Sequence, residues 1–186
     1  MPFDQGAPQF GLSDAKVQTW ASAGTYSGSI TDIMSVQMIG VTMQMVSAQL
    51  TGDDQITATA SRAIGGTVRM RFGAINLDAL AIITGKSVGT ISSVEQLNIE
   101  GGDRMPYFGI IGKALAEEGT GDFWVYCPKA KLMGDFQIAM LEYGNFAIPE
   151  VTVQLVNDAT YGIINLISHP TDVAITVMPP TNIAAA

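Results

Sequence analysis

Charge is scarce in this chain. Only 14% of its 186 residues are Asp, Glu, Lys or Arg, against 47% hydrophobic. Disorder needs the reverse balance, so composition excludes it for most of the length. Basic charge is scarcer still: nine Lys and Arg stand against seventeen Asp and Glu, a net charge of −8 and a pI of about 4.4. Tight nucleic-acid binding needs Lys and Arg to displace phosphate counterions. Here the basic residues are scattered, densest at Arg69/Arg71 and Lys129/Lys131. The one cysteine, Cys127, excludes a disulfide within the chain and fits folding in a reducing cytoplasm. With His169 the one histidine, a structural zinc site lacks ligands. The opening MPFDQGAPQF has neither the basic nor the apolar region of a signal peptide. No apolar run approaches the ~20 residues that span a bilayer, so no membrane insertion is expected.

What is present is enough apolar material for one domain, which at this length buries roughly 70% of its unfolded surface. So few charges leave little to keep a lone subunit's surface wet, and some of that surface is expected to meet neighbours. Residues 1–30 are turn-rich, with Gly6, Pro8, Gly11, Gly24 and Gly28. They read as an N-terminal arm with at most short ordered pieces, the alternative being a frayed terminus. A single domain over residues 31–178 and a loose tail over 179–186 follow.

The segment Met34–Leu50 alternates apolar and polar residues. Its phase slips at Ile39-Gly40, so that Val41, Met43 and Met45 follow Met34, Val36 and Met38, and slips again at Val46. Period-two alternation marks a two-faced strand, and a slip marks a bulge or bend. The segment far exceeds the usual 5–6 residues, so it is expected to run past the core of its own subunit. Thr51-Gly52-Asp53-Asp54 is turn chemistry. Ile56, Ala58 and Ala60 alternate next. Gly65-Gly66 reads as a second turn before Val68, Met70 and Phe72, giving a three-strand meander whose first two strands make a long hairpin over about 34–62. One short helix is predicted over about 76–84, with Asn76 as N-cap, Asp78 in the first turn, an apolar face at Leu77, Leu80, Ala81 and Thr84, and Gly85 as its stop. Further strands are expected near Val94–Ile99, Tyr107–Ala116, Asp122–Cys127, Phe136–Leu141, Val151–Val156 and Ile163–Ile167, with Ala174–Val177 a further candidate. The fold class is mainly β: an antiparallel sandwich or barrel with one short flanking helix.

Catalytic chemistry is poorly represented. His169 has no G-x-S-x-G elbow to present a serine to it. Gly85-Lys86-Ser87 resembles the end of a phosphate loop, but Leu80 stands where the first glycine belongs, and the element closes a helix instead of opening one. The pairs Asp53/Asp54 and Glu117/Glu118 flank glycines and read as hairpin tips rather than acid–base or cation sites. Trp124 and Tyr126 would share one strand face, Phe123 and Val125 the other. The first pair leaves a carbohydrate-binding platform open beside a core or contact role. No enzyme, cofactor or metal reading results.

The stretch QLTGDDQITATASRAIGGTVRMRFGAINLDALAIITG, Gln49 to Gly85, resembles the tail tube (major tail) proteins of long, flexible-tailed, siphovirus-type bacteriophages. The long first strand, the Gly52-Asp53-Asp54 tip, the Arg69–Phe72 strand and Asn76-Leu77-Asp78-Ala79-Leu80 carry the resemblance. FQIAMLEYGNFAIPEVTVQ, Phe136 to Gln154, looks like that family's closing strands. The resemblance implies a structural virion protein of the tail, assembled in the host bacterial cytoplasm. Its homohexameric rings would stack into a tube that conducts genomic DNA during ejection without binding it specifically. It implies partners as well: further copies of itself, then tape measure, tail terminator and distal tail proteins. Mapped here, Leu50, Thr51, Gly52, Asp53, Asp54 and Gln55 would be the ring-stacking tip, and Gln37, Thr42, Gln44, Thr57 and Thr59 a lumen-facing or inter-subunit strip. A tail terminator or a capsid decoration protein is the alternative.

Overall fold

The computed structural model describes residues 9–52, 55–74, 76–116, 121–134 and 148–180. In chain order the elements are β1 (Gln9–Ser22), β2 (Thr25–Asp32), β3 (Val36–Gly52), β4 (Gln55–Phe72), α1 (Leu77–Thr84), β5 (Val88–Ile91), β6 (Val94–Leu97), β7 (Tyr107–Ala116), β8 (Asp122–Leu132), β9 (Glu150–Leu155) and β10 (Asn165–His169). Eight strands form one antiparallel sheet in the order β2-β1-β7-β8-β9-β4-β3, with β10 also on β8, while β5 and β6 pair separately. Strand β8 is a fork. Its Ala130–Leu132 end pairs with β9, and its Asp122–Tyr126 end pairs with β10. The sheet folds over as a sandwich and does not close into a barrel: among the described strands, β2 and β3 end the path, and β10 has β8 as its one neighbour.

Alternation decides what lies between the layers. Val68, Met70 and Phe72 of β4, Val151, Val153 and Leu155 of β9, and Ala15 and Val17 of β1 point into one cluster with Phe108, Ile110, Cys127, Ala130 and Leu132. Each large side chain buried there contributes about 1.5–3 kcal/mol. Helix α1 closes this core with Ala79 and Ile83. Asn76 caps it, its side chain accepting from the Asp78 and Ala79 amides at 3.0 and 3.3 Å. Gly85 ends it in the left-handed region. Ala79, Leu80, Ile83 and Thr84 make the buried face, displacing the expected Leu77 and Ala81, which are half-buried. On the other side of β7 and β8, a second cluster joins Ile111, Trp124 and Tyr126 to Ile175 and Met178 of the segment beyond β10.

Several sequence expectations change. Residues 9–32 are two strands, and β1 lies inside the sheet between β2 and β7, so the domain begins before residue 31. Glycines punctuate this stretch without ending it: Gly11 and Gly28 sit within strands and Gly24 in the tight β1–β2 turn. The Gly65-Gly66 turn does not exist, so the three-strand meander is a two-strand hairpin. Here β4 runs unbroken, and Gly66 opposes Met43 on one side and Leu155 on the other. A Cβ on Gly66 would lie 2.8 Å from the Thr42 carbonyl oxygen, so these glycines permit close backbone approach. The first phase slip falls at Gln37, the extra residue between the Val36–Phe72 and Met38–Arg71 pairs. Strand β8 continues past Cys127 because Pro128 sits at a register shift, where no ladder donor is needed. Residues 174–177 form no strand, and the expected Phe136–Leu141 strand lies outside the described residues.

Candidate assembly surface

The β3–β4 hairpin has two parts. Strand β9 covers β4 only between Gly66 and Arg71. From Gln44 and Gly65 outward the two strands pair only with each other among the described elements. At ~3.3 Å per residue, Gln44 to Gly52 spans about 26 Å. Where the burial of these outer residues is described, all but Gly65 are exposed. They include Met45, Val46, Leu50, Ile56 and Ile64, with Leu50 65% exposed and Ile56 60%. A lone two-stranded ribbon is marginal in water. Isolated edges are usually blunted by Lys, Pro or inward charges. Between Gln44 and Gly52, and between Gln55 and Ser61, the sequence places no charge and no proline.

Two register shifts shape the ribbon. Ile64 is extra between the Met45–Ala63 and Gln44–Gly65 pairs, where β4 leaves the body, and Thr57 is extra near the tip. Such a bulge bends and twists a strand. Directly opposed residues share a face, so Val46, Ala48 and Leu50 lie with Arg62, Ala60 and Ala58. The reverse face carries Met45, Ser47 and Gln49 with Ala63, Ser61 and Thr59. One face is therefore mainly apolar, and the other turns polar and uncharged toward the tip.

The candidate strip does not hold together. Thr42 and Gln44 share a face, and Gln44 Oε1 accepts from Gln154 Nε2 at 3.1 Å. Thr59 faces the opposite way, beside Gln49, while Gln37 and Thr57 sit at register shifts. At the tip, Leu50 pairs with Ala58, Thr51 with Ile56 and Gly52 with Gln55. Asp53 and Asp54 lie outside the described residues, as do Glu117 and Glu118. At the ribbon root, a groove of about 510 Å³ opens between Ile39, Val41 and Met43 of β3, Phe123 and Val125 of β8, and Ile164 and Leu166.

The sequence did not show that basic residues gather on one sheet face. Lys131 opposes Gln154, Gln154 opposes Thr67, Arg69 opposes Thr152 and Arg71 opposes Glu150, which puts all of them on the face away from the core. Lys129 Nζ sits 4.1 Å from the Trp20 ring centre and 4.5 Å from that of Tyr107, with Lys131 Nζ 5.0 Å from Tyr107. Such cation–π contacts fix the ammonium groups in place. Arg69 pairs with Glu150, and Arg71 Nη2 reaches its other oxygen at 3.1 Å. Hydrogen bonds from Arg69 and then Arg71 hold the Glu150 carboxyl below its ordinary value.

Other polar groups tie the body together. Asp158, buried, accepts from Trp20 Nε1 at 2.9 Å and from the Gly24, Thr160 and Tyr161 amides. Burial pushes its carboxyl up, but these four donors outweigh it and hold the value low. Lys113 lies buried between Asp122 at 3.4 Å and Asp172, and donates to the Val173 carbonyl at 2.6 Å. Burial alone would lower its ammonium; hydrogen bonds to Asp172 and Asp122 raise it instead. Trp124 and Tyr126 are buried in the second cluster and offer no exposed platform to a sugar. His169 packs against Trp124 with the rings tilted by 49°, ring centres 4.4 Å apart. Burial pushes the Cys127 thiol up to about 12. No helix among the described residues is long and apolar enough to cross a membrane. In comparisons with known proteins, no family model and no curated protein matches the chain.

Proposed function

We propose that this chain is the repeating subunit of a bacteriophage tail tube. The exposed ribbon is the observation that carries the reading. A monomer that projects about 26 Å of partly apolar hairpin, with Arg62 the one charge along its described strands, is incomplete by itself. Contact with further copies would cover the apolar face of Val46, Ala48 and Leu50, leaving the Ser47, Gln49, Thr59 and Ser61 side toward water. The open sheet edges at β2 and β3 let copies extend the sheet around a ring. From the resemblance come the ring number of six, stacking into a conduit for DNA, the place in the virion tail, and the tape measure, terminator and distal tail partners. The ribbon, the bare edges and the uncharged polar face are compatible with each of these.

Electron microscopy of the purified protein tests the proposal. Tubes are expected, and a product that stops at single rings would point to a tail terminator. Removing Thr51–Gln55 cuts only the hairpin end, so the body should fold and melt as before while tubes fail to grow. Unchanged tubes from that deletion would place the stacking contact elsewhere.

A further inference from the structure

We infer that Lys113 and Asp122 condense into an amide, a covalent staple between β7 and β8 that the folded chain forms by itself. The inference is independent of the tail reading.

An attacking amine, a carboxyl to receive it and a proton relay meet at these residues. Lys113 and Asp122 are both buried. Lys113 opposes Trp124 in the β7–β8 pairing, and Asp122 lies two residues from Trp124 on the same strand face. Trp124 packs in turn under Ile175 and Met178. Lys113 Nζ is 3.4 Å from Asp122 Oδ2, a separation from which a held nucleophile attacks. The same oxygen accepts from the Val173 amide at 2.8 Å. A donor therefore already faces the oxygen on which negative charge grows when the carboxyl carbon is attacked. The other oxygen, Oδ1, is buried with no hydrogen-bond partner among the described residues. Asp172, with its side chain 63% exposed, accepts from Nζ.

An ammonium has no lone pair to attack with, so a proton leaves first. Asp172 takes it from Nζ and passes it to Asp122 Oδ1. Nζ then attacks Cγ of Asp122, and Oδ2 carries the developing charge against the Val173 amide. A second proton follows the first from Nζ to Oδ1. The Cγ–Oδ1 bond breaks, Oδ1 leaves as water, and the Nζ–Cγ bond remains. Both protons come from the ammonium, Asp172 ends as it began, and no oxidant or second reactant is consumed. Burial supplies the driving force. An ion pair held out of water carries a desolvation penalty on each charge, and the amide carries neither charge. The other described lysine–carboxylate pairs are wetter: the Asp32 side chain against Lys16 is 62% exposed, and that of Lys86 against Asp103 is 29% exposed. Asp172 is solvated too, which suits a relay better than the acyl partner.

Mass spectrometry of the purified protein, denatured and digested after it has folded, tests the staple. Trypsin should not cut after Lys113, and residues 105–129 should come off as one peptide lighter than its sequence by one water. Lys113→Arg lacks the attacking amine, so it should be cut at that position and keep its full mass. Asp172→Asn loses the relay and should reach the lighter mass roughly a hundred-fold more slowly. Wild type at full mass and cut after Lys113 overturns the inference; an ion pair is then all that joins the two residues, and the tube reading is untouched. A missing water that persists in Lys113→Arg overturns it as well, because the loss then lies elsewhere. If residues 105–129 come off joined to residues 132–186, Asp172 is the acyl partner and the assignment to Asp122 falls.

Discussion

Strand β4 passes through two environments in one unbroken run. From Gly66 to Phe72 it lies between β3 and β9 and buries Val68, Met70 and Phe72. From Gln55 to Ile64 it has β3 alone among the described strands, and residues as apolar as Ile56 and Ile64 face solvent. The same alternation of side chains runs through both halves. A covering layer makes the difference: where β9 and the opposite sheet cover the hairpin, alternation makes a core, and where they end it makes an uncovered surface. The inner half belongs to the fold of the subunit, the outer half to what the subunit meets.

Substitutions in the two halves should separate accordingly. Met70→Ala empties a fully buried site and should cost about 3 kcal/mol in thermal or urea unfolding. A loss below about 1 kcal/mol would show that the inner half is not core. Asp158→Ala, also in the body, leaves Trp20 Nε1 and three amides without their acceptor and should cost about 2 kcal/mol at neutral pH. Its pH dependence has a definite sign. The folded-state value is lowered, so the stabilisation is complete above the unfolded value of about 3.9 and is lost as pH falls through the folded one. The gap between wild type and Asp158→Ala should therefore close in acid; a constant gap would contradict the assignment. The smallest effect on folding belongs to the ribbon. Val46→Ser and Leu50→Ser should change subunit stability by no more than about 0.5 kcal/mol while reducing assembly. A melting loss comparable to that of Met70→Ala would mean the ribbon is buried within its own subunit.

How much of this was legible in the sequence depended on whether the signal was local. Helix α1 was readable because Asn76, Asp78 and Gly85 act on their own neighbours. The long hairpin was readable because the seventeen residues of β3 alternate in short runs that two phase slips join without a turn signal between them. Strand β5 went unread: its turn to β6 uses Ser92 and Ser93, both at positive φ, where Asn-Gly would have announced a hairpin. Gly65-Gly66 looked like a turn because a glycine that permits a bend and one that permits close strand approach are the same residue; the Thr42 and Leu155 carbonyls that distinguish them are distant in sequence. The candidate strip dissolved for a related reason. Thr42 and Thr59 suit one polar surface by composition, but sequence spacing within each strand does not say how two strands align, and that alignment puts them on opposite faces. The basic face was invisible for the same cause, since Lys131 and Arg69 come together only through β9.

Amide hydrogen exchange, measured on monomeric and assembled protein, tests the division of the hairpin most directly. Amides of Val68–Phe72 should be protected in both states, because β9 and the core cover them. Those of Met45–Leu50 and Ala58–Ile64 should exchange rapidly in the monomer and become protected on assembly. Ribbon amides equally protected in the two states, or equally open, would contradict the claim that the outer half of this hairpin is completed by another copy.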